Sequence, residues 1–127
     1  MLVTSLMRTV EVERGPGWLF VKVKNADEES PDMPPLADEL WSILEKHFAY
    51  RLVLELETTT LIDSRLIAQL VWLNNLLLRH QGVLRLCGLS EENKEVIKSC
   101  RLGGTLCEYA SRMEAVMSFS QQGCPSV

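Results

Sequence analysis

The sequence is poor in the groups that most often carry chemistry. It has two histidines, His47 and His80, and four cysteines, Cys87, Cys100, Cys107 and Cys124. The cysteines form no C-x-x-C pair and the histidines are isolated from them in sequence. That spacing argues against a zinc or redox motif and predicts reduced, partly buried thiols, with disulfide pairing left open. A basic cluster is missing too: 13 Lys and Arg face 17 Asp and Glu, for a formal net charge of −4 and a pI near 5.2. Phosphate backbones are held by basic patches, so nucleic acid is not an expected partner. The longest apolar stretch, Leu66 to Leu78, is interrupted by Gln69, Asn74 and Asn75. It is too short to span a bilayer and reads as a buried helix. The first residues, Met1 to Arg8, carry no long apolar core and no small-residue cleavage pattern, so a cytoplasmic location is expected, with no membrane partner. The G-x-x-x-x-G-K-[ST] loop, the G-x-G-x-x-G fingerprint and the G-x-S-x-G elbow are all absent. No cofactor or metal is expected, and the chain does not read as an enzyme.

What is present is ordinary globular material. With 127 residues, 46% apolar and 24% charged, the chain is long enough for one core without metals or disulfides. It reads as a single domain over 1–127, with a core of about 9–119 and a flexible tail over 120–127. Thr9 to Glu13 and Trp18 to Lys24 alternate in hydropathy around the turn signal Arg14-Gly15-Pro16-Gly17, which predicts a β-hairpin. Asn25 to Pro35 holds four acidic residues and three prolines. It reads as a solvated connection, with an acidic docking loop as the alternative. Leu36 to Phe48 has helical spacing behind Pro35. Leu52 to Leu56 is a compact apolar strand of the kind buried on both faces. Arg65 to His80 is a long amphipathic helix ended by Gly82, a natural C-cap residue. Val83 to Leu89 is a strand, and Ser90 caps a helix from Glu91 to about Arg101 that Gly103-Gly104 stops. A short strand around Thr105 to Tyr109 leads into the capping-box pattern Ser111 to Glu114 and a last helix through Phe119. This alternation predicts an α/β fold: an N-terminal β-hairpin, then β and α units building a mixed, mostly parallel sheet covered by helices.

The most informative stretch runs from Arg51 to Leu70. A strand crosses the threonine-rich loop Thr58-Thr59-Thr60 and opens a helix at Asp63-Ser64. A hydroxyl at that point sits beside unpaired backbone N–H groups and a partial positive charge, a favourable place for a phosphate. Ser64 has no sequence-evident general base. Asp63 with Glu55 or Glu57 offers a carboxylate pair, although carboxylates at strand ends and helix starts more often cap or face solvent.

From about Val10 to Phe119 the sequence resembles the STAS domain of anti-sigma-factor antagonists. The residues that carry the resemblance are Leu52-Val-Leu-Glu-Leu56, Leu61-Ile-Asp-Ser64 and the stretch from Gln81 through Cys87-Gly-Leu-Ser-Glu-Glu-Asn93 to Ile97, with Leu102 to Val116 similar to the closing segment. The resemblance implies that Ser64 is the phospho-acceptor and Asp63 the acidic residue before it. It implies a partner anti-sigma factor, itself a serine protein kinase, that binds the unphosphorylated domain and thereby frees a sigma factor. Asp63, Arg65, Leu66, Thr59 and Thr60 are the implied partner-binding residues. The family usually continues Asp-Ser-[Ser/Thr]-Gly, where this chain has Arg65-Leu66, and Glu55 stands where Asp is common. A bulky residue followed by Ile-Ala is closer to the serine-bearing STAS scaffolds of stressosomes. Such a scaffold, associating with other STAS proteins, is the first alternative. A small ligand-binding domain using Thr58-Thr59-Thr60 and Asp63-Ser64 is the second.

Overall fold

The computed structural model describes residues 8–26, 34–58, 61–100 and 106–117. Strand β1 (Thr9–Gly15) and β2 (Trp18–Lys24) form the predicted hairpin, paired from Thr9↔Lys24 to Gly15↔Trp18. Pro16 has its φ fixed by its ring and Gly17 supplies a φ of +77°, so the chain reverses in two residues. Helix α1 (Leu36–His47), strand β3 (Arg51–Leu56), helix α2 (Ser64–Arg79), strand β4 (Val83–Cys87), helix α3 (Glu91–Ser99), strand β5 (Cys107–Tyr109) and helix α4 (Arg112–Met117) follow. The sheet order is β1-β2-β3-β4-β5, antiparallel between the first two and parallel thereafter. The protein is thus α/β, a hairpin followed by alternating units, as the sequence pattern predicts.

Because each new parallel strand is added beside the last, one repeated crossover hand puts the connecting helices on the same face. Leu19, Val21 and Val23 of β2, Leu52, Leu54 and Leu56 of β3, and Leu84 and Leu86 of β4 point to that face. They pack against Leu36, Leu40 and Leu44 of α1, Leu66, Leu70, Leu73 and Leu77 of α2, and Ile97 of α3. Each fully buried leucine contributes about 1.5–3 kcal/mol relative to exposure. The first turn of α1 has Pro35 before it and no side-chain cap of its own. Gln69 of α2 takes over, accepting the Ala37 N–H at 3.0 Å. The polar residue that interrupts the apolar run therefore satisfies an orphan donor of the neighbouring helix.

The opposite face is covered differently. Trp18, Val53, Cys87, Cys107 and Tyr109 form a second cluster with Ala115 of α4. Val53 is fully buried, so β3 is covered on both faces as its Leu-Val-Leu run predicts. Beyond α4, this face carries a polar link across the sheet: Arg112 donates to Glu55 on β3 at 2.5 Å and to Glu13 on β1 at 2.9 Å, with its guanidinium over the Phe20 ring. Both acidic partners hold the Arg112 pKa above its ordinary value.

Some predicted boundaries shift. β4 stops at Cys87 because Gly88 turns to φ +74°. The end of α2 is a Schellman turn in which the Gln81 N–H donates to the Leu78 carbonyl and the Gly82 N–H to the Leu77 carbonyl. The left-handed residue there is Gln81, φ +61°, not Gly82. Gly82 is required instead by close approach, since a Cβ there would lie 1.9 Å from the Tyr50 carbonyl oxygen. Cys87 and Cys100 are free thiols, as predicted. Cys107 is disulfide-bonded, the pairing that the cysteine spacing left open. Residues 27–33 of the acidic segment, Gly103-Gly104, positions 118–119 of the predicted last helix and the tail over 120–127 lie outside the described residues.

Candidate functional site

The parallel strands all point their C-terminal ends to one rim, and the Asp63-Ser64 corner is on it. Past β3 the ladder to β2 continues for one more residue, with the Glu57 N–H donating to the Val23 carbonyl and the Ala26 N–H to the Glu57 carbonyl, both at 2.8 Å. The chain then crosses to α2. Ile62 is buried, while Leu61 before it is about half exposed. Asp63 has extended dihedrals and caps α2, its Oδ1 accepting the Leu66 N–H at 2.9 Å. The Asp63 carbonyl accepts the Ile67 N–H, the first regular bond of the helix. Ser64 is therefore the first helical residue, and its side chain is exposed.

The loop before this cap is held by a residue from a distant element. Asn93, on the first turn of α3, is only 5% exposed. Its Oδ1 accepts the Ile62 N–H at 2.9 Å and its Nδ2 donates to Thr58 Oγ1 at 3.1 Å. Asn93 is oriented by its own helix start, where its backbone N–H donates to the Ser90 hydroxyl. One side-chain amide thus ties both flanks of the β3–α2 loop to α3. The sequence signal was a polar residue on the inner face of α3, one turn before Ile97.

The predicted site residues separate into distinct groups. Asp63, Ser64 and Arg65 are consecutive and exposed at the rim. Leu66 is 4% exposed and belongs to the core, so it anchors the helix start and offers no side-chain surface to a partner. Thr59 and Thr60 lie outside the described residues. The carboxylate pair does not form. Glu55 projects to the α4 face and is held by Arg112, Glu57 pairs with Lys22 at 3.3 Å, and Asp63 caps α2. His80 follows the last turn of α2, roughly 24 Å from Ser64 along the helix axis. There it packs against Trp41 and Tyr50, with ring centroids 4.9 and 5.1 Å away.

Cys87 sits behind the rim at the end of β4. Burial, helped by the nearby Glu55 charge, pushes its thiol up to about 12. It is a poor nucleophile there. Among the described residues no helix is long and apolar enough to cross a membrane. What the corner offers chemically is an exposed hydroxyl on a rigidly held helix start, with a carboxylate on one side and a guanidinium on the other. No protein-family model matches the chain, and no curated protein matches it either.

Proposed function

We propose that the chain is a STAS-type protein-interaction switch, an anti-sigma-factor antagonist that binds a serine-kinase anti-sigma factor and is controlled by phosphorylation of Ser64. The observation that carries this reading is the exposed Ser64 hydroxyl on the first turn of α2, beside the capping Asp63. It is the residue that the resemblance assigns to the phospho-acceptor. A kinase needs its acceptor accessible, and a partner gains affinity when the loop it grips is already ordered. The two Asn93 bonds provide that order.

The physics of the switch follows from the same contacts. Phosphate adds about −1.5 to −2 charges next to Asp63. The helix N-terminus stabilises that charge, and Arg65 is one residue away to pair with it. Leu66 stays in the core and its N–H stays on Asp63, so nothing in the helix start has to unwind. A partner surface that met a neutral hydroxyl would then face a dianion it must desolvate or repel. Release therefore comes from the interface and not from refolding.

The test is intact mass and binding for wild type and Ser64→Ala, with candidate serine-kinase anti-sigma factors from the same source and ATP. One added phosphate on wild type only, followed by weaker binding, is the expected result. A wild-type chain that stays unmodified and instead self-associates would replace this reading with the stressosome-type scaffold.

A further inference from the structure

We propose that a cleft at the opposite rim of the sheet binds a small oxyanion, a phosphate or carboxylate group, with Arg51 as its principal donor. The cleft lies where β3 and β4 begin, at the pair Arg51↔Val83, and is separated from the Asp63-Ser64 corner by the length of β3, about 20 Å. Its volume is about 360 Å³ and its described lining is Arg51, Gln81, Gly82, Val83 and Arg85. That size accommodates a small ligand.

Two of these five residues are arginines and none is acidic, in a chain whose net charge is −4. The local field therefore opposes the average field of the protein and favours an anion. Both guanidiniums converge on one ring: the Arg51 carbon is 4.6 Å and the Arg85 carbon 5.2 Å from the Trp18 centroid.

The two arginines have different roles. Arg85 is 3% exposed, donates to the Ala115 carbonyl at 2.5 Å and also lies 5.6 Å from the Tyr109 ring. It is built into the wall and contributes fixed positive charge. Arg51 is exposed, and among the described residues it pairs with no carboxylate. Its planar fork of N–H donors matches a phosphate or carboxylate edge in bidentate fashion. Stacking on Trp18 holds that fork in place before the ligand arrives, which lowers the ordering cost of binding. The Pro16-Gly17 turn borders the same spot, since a Cβ on Gly17 would lie 3.9 Å from Arg51 Nη1.

The experiment is an amide NMR titration of the full chain with inorganic phosphate, and separately with acetate, at ionic strength held constant with chloride. Saturable shifts of the Arg51, Gly82 and Val83 amides with either anion are expected, and which anion saturates distinguishes the two sources of the group. Arg51→Gln should weaken the affinity about tenfold, the scale of one lost charge-assisted contact, while the rest of the spectrum is unchanged. Arg51→Lys should recover only part of it, because the charge returns without the fork. Shifts that fail to saturate with both anions, or that persist unaltered in Arg51→Gln, would overturn the proposal. The Ser64 corner takes no part in this readout, so the two proposals fail separately.

Discussion

Replacing Asn93 by alanine tests whether one amide holds the β3–α2 loop. The substitution removes the acceptor of the buried Ile62 N–H and the donor to Thr58 Oγ1. An orphaned buried donor costs about 1–3 kcal/mol and the second hydrogen bond about 1 more, so the total is about 2–4 kcal/mol. Against a domain stability of roughly 5–15 kcal/mol this is a large fraction, equivalent to a fall of roughly 10 °C in Tm. The measurement is urea unfolding, with the midpoint lowered and the slope unchanged. Native-state hydrogen exchange should show the Ile62 amide losing protection more than its neighbours in α2. Thr58→Val is the comparison: it takes away the acceptor of the Asn93 Nδ2 bond, leaves the Ile62 N–H on Asn93 Oδ1, and should leave the Ile62 amide protected. If Asn93→Ala costs less than about 1 kcal/mol and Ile62 stays protected, another group holds the loop and the reasoning fails.

Three further outcomes are expected. Asp63→Ala removes the side-chain cap on Leu66 N–H and should lower stability by about 1 kcal/mol, read from the same urea curves, with a smaller loss for Asp63→Asn. Cys87, whose thiol is raised from 9.0 to about 12, should resist iodoacetamide at pH 8 in the native state while the exposed Cys100 is alkylated. The folded pKa is the higher one, so Cys87 contributes its stability below pH 9 and loses it as pH rises toward 12; Cys87→Ala should flatten that part of the pH–stability curve. Gly82→Ala would drive a methyl into the Tyr50 carbonyl. It should cost ~3 kcal/mol or more, and a near-neutral result by thermal unfolding would mean that the β3 and α2 ends separate easily.

The parts of this molecule that were legible in advance depend on neighbours in sequence. The Pro16-Gly17 turn, the Asp63 cap, the Ser90 cap and the alternation that builds the sheet are all local signals, and each sits where local rules put it. The Asp63-Ser64-Arg65 corner was legible for the same reason. Its support was not. Asn93 acts on residues 31 and 35 positions earlier, and Arg112 on residues 57 and 99 positions earlier. No periodicity encodes such partners. Leu66 illustrates a second limit, since the resemblance implied a partner contact there while its phase on α2 turns it into the core. Gly82 illustrates a third. A glycine near a helix end suggested the left-handed cap position, yet a glutamine occupies that conformation and the glycine answers a steric demand from β3.

The sheet order repeats the order of synthesis, β1 through β5. Each strand that leaves the ribosome can therefore dock on the strand made just before it, without waiting for a strand made later. The exception is the face under α4. Trp18 and Val53 are made early, but Tyr109 and Ala115, which cover them, are made after every other strand and helix of the sheet's first face. A partly made chain thus has one finished layer and one bare layer. Cys87 lies in the bare one, so the moment its thiol stops reacting marks the completion of the fold.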